Sequence, residues 1–210
     1  MKTHTCWIIR HSESCANAGI PTSNPATIPL TAKGIEQAKK ISQCFKQNPS
    51  LIVTSPYLRC KQTSYYTSLQ YPEANVVEWA VQEFTFLSPT RCQRTTEEER
   101  QPMVQDFWKR NDPFYVDGDG AESFSIFINR VWSFVDKLYS QEDEFIVVFT
   151  HGLFIYALIW SLLTRDKEVS IKSMSKFYAF SSTFIIPNGS IFKFEVGETI
   201  LINPVLKNVV

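Results

Sequence analysis

The chain lacks an excess of charge of either sign: 21 Lys and Arg balance 21 Asp and Glu over 210 residues. No global field therefore draws it to nucleic acid or to an anionic membrane, and any anion it binds must be held by a local cluster. Its five cysteines (Cys6, Cys15, Cys44, Cys60 and Cys92) are an odd number with no C-x-x-C pair, and they read as reduced thiols rather than a disulfide framework. None has an arginine six residues later, where a cysteine-based phosphatase needs one; those positions hold Ser12, Pro21, Ser50, Tyr66 and Glu98. There is no P-loop, no dinucleotide fingerprint, no G-x-S-x-G and no H-E-x-x-H. No repeat or low-complexity linker interrupts the chain, so residues 1–210 are expected to form one domain. The first apolar run is broken by Arg10 and His11 and is no signal-peptide core. The longest one, "FIVVFTHGLFIYALIWSLL" (145–163), is split by Thr150, His151 and Gly152 into a β-branched half and a Leu-rich half. Strand, tight turn and buried helix explain it better than a membrane span. A cytoplasmic protein with no membrane or nucleic-acid partner is expected.

Hydrophobic residues at 44% and charged residues at 20% fit an ordinary packed domain. Four short apolar runs end in a polar break: "TCWIIRH" (5–11), "SLIVTSPYLR" (50–59), "NVVEWAVQEF" (75–84) and "EFIVVFTHG" (144–152). Helical patterns lie between most of them. "TAKGIEQAKKISQCF" places Ile35, Ala38, Ile41 and Phe45 near helical period, and "SFSIFINRVWSFVDKLY" puts Phe124, Phe127, Ile128, Val131, Trp132, Val135 and Leu138 on one stripe. In "TSPYLRC", Ser55 suits an N-cap and Pro56 the first helical position. The alternation predicts an α/β fold with a largely parallel sheet covered on both faces.

Ligands of such sheets bind beyond the carboxyl ends of the strands. Those ends carry Arg10 and His11, then Arg59 one turn into a helix, then Glu83, then His151. Two arginines, two histidines and a glutamate on one edge make a phosphate site. The planar fork of Arg donates paired, charge-assisted hydrogen bonds to phosphate oxygens. A neutral imidazole with Nδ1–H held by a carbonyl presents Nε2 as a nucleophile. A carboxylic acid beside a phosphate dianion has its pKa raised by like charge, so Glu83 suits the role of proton donor to the departing alkoxide. No metal or other cofactor is required.

These segments resemble the histidine phosphatase superfamily, with its phosphoglycerate mutase-like fold. "RHSESCAN" is similar to R-H-G-E-S-x-x-N, in register at Arg10, His11, Glu13, Ser14 and Asn17. "PLTAKGIEQAKKI", "VTSPYLRCKQTS", "GAESF", "VVFTHG" and "PNGSIFKFE" resemble later family segments in the family's order, and "VQEF" stands where the family has its acid. The resemblance spans roughly residues 7–196. It implies a three-layer α/β/α sandwich and a metal-independent phosphatase that takes phosphate monoesters of small molecules or proteins. It makes His11 the phosphorylated nucleophile and Glu83 the proton donor. Arg10, Arg59 and His151 form the phosphate pocket, supplemented by Asn17 and the backbone at Gly152. The alternatives are a phosphoglycerate-type mutase and a non-catalytic module that binds phosphorylated ligands.

Three features depart from the pattern. Ser12 replaces the usual Gly after the nucleophile, Ala16 stands where mutases often carry Trp, and "FTFLSP" follows Glu83 in place of the mutases' Arg-Tyr-Gly. The last of these favours a phosphatase. Glu78 competes with Glu83 as the acid, and Glu13 and Ser14 suit helix capping as well as ligand contact. His4 is expected to be an exposed terminal residue. Residues 84–119 are expected to cap the site, with Arg91, Arg94 and Trp108 as candidate substrate contacts. Within them, "FYVDGDGA" superficially resembles an aspartate-phosphatase D-x-D loop, but its glycines and the absence of a buried run make it a turn.

Overall fold

The computed structural model describes residues 3–207. Six strands form one sheet: β1 (His4–Arg10), β2 (Leu51–Thr54), β3 (Asn75–Glu78), β4 (Phe145–Thr150), β5 (Ile191–Val196) and β6 (Ile200–Lys207). Their spatial order is β3-β2-β4-β1-β5-β6. The first four run parallel; β5 and β6 join antiparallel beside β1. The period-2 alternation of a strand sorts β1 between two cores. Cys6 and Ile8 face the larger core, and Trp7 and Ile9 the smaller. In β4, Ile146 and Val148 take the first side and Phe145, Val147 and Phe149 the second.

Helices cover both faces, which makes the three-layer α/β/α sandwich. On the smaller core lie α1 (Ala32–Ser42), which buries Ile41, and α2 (Leu58–Gln70), which buries Cys60. On the larger core lie α4 (Phe124–Tyr139), α5 (Gly152–Thr164) and α6 (Ile171–Ser181), with Phe127, Leu158 and Met174 inside. The remaining helix, α3 (Gln101–Arg110), adds Phe107 and Trp108 to that core. Sequence chemistry sets the starts. Thr31 caps α1 by accepting from the Gly34 N–H at 3.0 Å, and Ser123 caps α4 by accepting from Ile126 at 3.2 Å. The buried stripe of α4 includes Phe134, whereas Trp132 is only partly buried. At Gly34 no side chain fits, because a Cβ would stand 2.0 Å from the Glu13 carbonyl oxygen. Its absence lets α1 press against the loop that follows His11.

The segment 145–163 divides as the polarity break predicts, into β4 and α5, and no helix among the described residues is long and apolar enough to cross a membrane. "FYVDGDGA" is a turn, with Gly118 and Gly120 at φ 145° and 76°. Three expectations need correction. The third strand ends at Glu78 rather than Phe84, because its only partner, β2, is four residues long and offers no further ladder. The second junction starts its helix at Leu58 rather than Pro56: Ser55 turns its hydroxyl to accept the Tyr57 N–H at 3.2 Å instead of capping the helix further on. His4 is not exposed but 6% accessible, since it opens β1 and pairs with Val196.

Candidate active site

Every parallel strand that feeds the site ends at the same edge. Arg10 closes β1, and the His11 N–H donates to the Thr150 carbonyl of β4 at 2.9 Å. The nucleophile candidate and His151 are thereby held side by side, with ring centroids 5.1 Å apart. His11 is buried, and its Nδ1 lies 2.7 Å from the Ser12 carbonyl oxygen. A carbonyl only accepts, so Nδ1 carries the proton and Nε2 keeps its lone pair. That lone pair receives the Arg59 Nε–H at 3.1 Å, while Arg59 Nη1 donates to the Pro25 carbonyl at 2.6 Å. Arg10 donates through Nη1 to the Ile186 carbonyl, and its buried Nε finds no acceptor among the described residues.

His151 precedes α5. Its Nε2 lies 2.8 Å from Ser55 Oγ and 3.3 Å from Cys60 Sγ, and its Nδ1 is buried without a partner among the described residues. Glu83 lies in the loop beyond β3, and Oε1 accepts the Phe84 N–H at 3.2 Å and the Leu153 N–H at 3.0 Å. A Cβ on Gly152 would come 3.6 Å from Arg10 Nε and 3.9 Å from Glu83 Oε2, so this glycine sits between the cation and the acid at the opening of α5. The Leu153 N–H is taken by Glu83, but the opening turn of a helix carries further N–H groups without helical partners, which suit an anion. Glu78, the rival acid, instead pairs with Lys61 at the surface, 2.6 Å away.

The other sequence candidates are engaged in different ways. Glu13 accepts from Thr31 Oγ1 and Lys33 Nζ, each at 2.8 Å, and Ser14 Oγ donates to Asn17 Oδ1 at 2.9 Å. Asn17 thus spends its oxygen on the loop, and its amide hydrogens remain for a ligand. Ser12 is not in the left-handed region, so the backbone accommodates it in place of glycine. Arg91 pairs with Asp117, and Trp108 is buried with its ring stacked on Tyr178 at 4.8 Å. The Arg94 backbone N–H donates to Ser23 Oγ at 3.3 Å. A cleft of about 350 Å3 opens beside Arg59 and Glu83, and Arg100, Gln101 and Glu97 line it in place of Arg91, Arg94 and Trp108.

Sequence reasoning missed the supports. Asn188 Nδ2 donates to the His11 carbonyl (3.1 Å), the Ser12 carbonyl (3.5 Å) and Asn17 Oδ1 (3.0 Å), which ties three points of the nucleophile loop together. Gly189, at φ 75°, adds its N–H to the Arg10 and His11 carbonyls. The Asn-Gly dipeptide was the available signal, because it marks a turn that only small φ > 0 residues make comfortably. Ser55, Cys60 and Thr63, which accepts the Ser12 N–H at 3.1 Å, carried no signal beyond helical position.

Electrostatics keep both histidines neutral. Burial, then the charges of Arg59 and Arg10, hold His11 well below the ordinary imidazole range against the Ser12 carbonyl; burial and then Arg59 do the same to His151. Glu83 moves the opposite way, raised by burial in spite of Arg59, Arg10 and the two backbone N–H donors. Burial pushes the Cys60 thiol up to about 12, so it stays protonated beside His151.

These shifts make stability depend on pH. His4, His11 and His151 are all lowered relative to the unfolded chain, His4 by burial. Below pH ~6.5 the unfolded state therefore takes up protons that the folded state refuses, and folding stability falls as pH falls. His11 and His151, both buried, each contribute a slope of about 1.4 kcal/mol per pH unit until the folded value is passed, and solvent screening makes the contribution of His4 smaller. Glu83, raised above its unfolded value, binds its proton earlier in the folded state and offsets one histidine in its own window. Urea unfolding at pH 7, 6 and 5 should show a stability loss of about 1–3 kcal/mol per unit on the acid side; a flat profile would contradict the neutral buried histidines.

The sequence pattern of the histidine phosphatase superfamily (branch 1) matches residues 6–177. The chain belongs to that superfamily. This family member is 29% identical over 172 residues to an uncharacterized phosphoglycerate mutase family protein of Acanthamoeba polyphaga mimivirus, covering 69% of this chain and 72% of the relative. Its fold is similar to the alpha-ribazole phosphatase from Shigella flexneri (TM-score 0.73, 22% identity, 98% and 96% of the two chains). It is similar also to the phosphoserine phosphatase of Entamoeba histolytica in complex with phosphoserine (TM-score 0.71, 21% identity, 98% of each chain). At these identities the structural likeness establishes the phosphoglycerate mutase-like fold. No group of three or more His, Cys, Asp or Glu side chains that could hold a metal occurs among the described residues.

Proposed function

We propose that this family member hydrolyses phosphate monoesters through a phosphohistidine at His11. The observation that carries the reading is the neutral His11 with Nδ1–H tied to the Ser12 carbonyl and Nε2 at 3.1 Å from Arg59 Nε. An incoming phosphate takes the Arg59 N–H for one of its oxygens and frees the Nε2 lone pair. Nε2 attacks phosphorus, the P–O bond to the leaving group breaks, and Glu83 gives its proton to the departing alkoxide. Water then attacks the phosphohistidine, the Glu83 carboxylate takes the proton from water, and the P–N bond breaks to restore His11. Arg10, Arg59 and the His151 imidazole hold the phosphoryl oxygens, supplemented by the Asn17 amide and the N–H of Gly152. Arg10 and Arg59 supply the positive charge that a metal supplies in other phosphatases, so no cofactor enters these steps.

Residues 84–119 cap the site in this reading and shape the leaving-group cleft, within one domain spanning residues 1–210. A cleft of about 350 Å3 favours a small-molecule ester over a phosphoprotein. Hydrolysis is favoured over mutase chemistry because Phe84, Thr85, Phe86 and Leu87 follow Glu83, and none of them can grip a second acidic group. The phosphatase activities in the names of the two structural neighbours support the same reading.

The test is to mix the protein with p-nitrophenyl phosphate in EDTA, quench, and look for phosphate on the protein. Turnover with a phosphoenzyme that survives alkali and decays in acid is the expected result. Tight phosphate binding with no release and no phosphoenzyme would turn the reading to a binding module, and transfer to an added phosphoglycerate instead of water would turn it to a mutase.

A further inference from the structure

The cleft beside the phosphate site has walls that limit what the substrate can be. It is lined by Arg59, Glu83 and Leu153, which include the acid that would protonate a leaving group, and by Phe86, Leu87 and Val104. Several of its polar side chains are spent on the fold. Thr85 Oγ1 shares a hydrogen bond with the Tyr57 hydroxyl at 2.7 Å, and Arg100 Nη1 donates to the Thr95 carbonyl at 2.7 Å and its hydroxyl at 3.1 Å. Ser23 Oγ accepts the Arg94 N–H. A sugar or a nucleotide base would leave most of its polar groups unpaired where Phe86, Leu87 and Val104 form the wall. Three side chains differ: Thr22, Gln101 and Glu97 line the cleft with no side-chain hydrogen-bond or ion-pair partner among the described residues, and of these Glu97 alone carries a charge.

We propose that the alcohol released is apolar and carries no acidic group, seated on Phe86, Leu87 and Val104, with Glu97 repelling leaving groups that bear a carboxylate or a second phosphate. This rests on the hydrolytic reading above. The Glu97 charge reaches the phosphate site itself, where it acts on Arg10 second only to Glu83 among the nearby acids. Arg10 and Arg59 together hold a single phosphate against that field; a second anion placed in the cleft meets Glu97 with Arg100 as the nearby cation of the lining to offset it. At contact distances near a protein surface such a repulsion amounts to about a five- to tenfold loss in kcat/KM, screened by salt.

The experiment compares 2-phenylethyl phosphate with 3-phosphoglycerate, two esters of primary alcohols that need the same protonation of the leaving oxygen. The quantity read is the ratio of their kcat/KM values, in wild type, Glu97→Gln and Val104→Asn. Wild type should favour the phenylethyl ester by on the order of a hundredfold. Glu97→Gln should narrow that ratio about five- to tenfold at low ionic strength and much less in about 0.5 M salt. Val104→Asn, which makes the wall of the cleft polar without adding charge, should narrow it by acting on the phenylethyl ester. A wild-type preference for 3-phosphoglycerate that disappears in Arg100→Met would overturn the proposal, as would a ratio that Glu97→Gln leaves unmoved at low salt. Either result comes with turnover intact and spares the hydrolytic reading. Silence on both esters, with no phosphoenzyme formed, would remove that reading and this inference together.

Discussion

His11→Ala is expected to abolish the phosphoenzyme and to lower kcat/KM for p-nitrophenyl phosphate by on the order of 10⁴–10⁶-fold, the loss typical of removing a covalent nucleophile. Binding of inorganic phosphate should persist or tighten. In the free protein the Arg59 Nε–H is committed to His11 Nε2, and removing the ring frees that donor for the anion. The same variant removes a buried, neutral imidazole, so its stability should fall less steeply than wild type between pH 7 and 5. Calorimetric phosphate binding and turnover, measured on one preparation, separate the roles. Loss of both activity and binding would indicate a collapsed site, and His11→Asn, which preserves a donor toward the Ser12 carbonyl, is the check on that. Turnover above about 1% of wild type, in a protein that still binds phosphate, would rule out attack by His11.

Which parts of this site could be read from the sequence follows from how locally each is encoded. Arg10, His11 and His151 are strand-terminal residues, and a β-rich run followed by a polar break is a local signal that needs no knowledge of the partner strand. Arg59 was equally legible, because a helix that starts within a few residues of β2 must carry it toward the same edge. Strand length was not legible. Residues 75–84 have the composition of a strand throughout, but β3 stops at Glu78 because β2 stops at Thr54, and pairing is a property of two segments. Glu83 therefore arrives on a loop, held by two backbone N–H donors rather than by a ladder. The Asn-Gly turn at 188–189 was legible but the role of Asn188 was not, for a related reason: it lies 177 positions from the His11 carbonyl it supports, and the antiparallel return of β5 beside β1 brings it there. The cap shows the same limit most clearly. Charge and aromatic content pointed to Arg91, Arg94 and Trp108, but Asp117 and Tyr178, remote in sequence, occupy Arg91 and Trp108, and Arg100 and Glu97 line the cleft instead.

Glu83→Gln should separate substrates by their leaving groups. The variant keeps an oxygen to accept the Phe84 and Leu153 N–H groups, so the loop and the opening of α5 keep their geometry, but it has no acidic proton to give. On an alkyl ester such as 2-phenylethyl phosphate, whose alkoxide cannot leave unprotonated, kcat/KM should fall by roughly 10²–10⁴-fold. On p-nitrophenyl phosphate, whose phenolate leaves readily, the loss should stay within about tenfold. The pH profile gives an independent reading. Burial raises the Glu83 carboxyl in the free protein, and its acid form is lost as pH rises through that value, so the alkaline limb of kcat/KM on the alkyl ester belongs to Glu83. His11, held well below the ordinary imidazole range, places no limb near neutrality. In Glu83→Gln the alkaline limb should vanish from the residual activity. Equal losses on the two esters, or a limb that survives the substitution, would mean that the proton comes from another donor and that Glu83 acts only to hold Arg10 and the start of α5 in place.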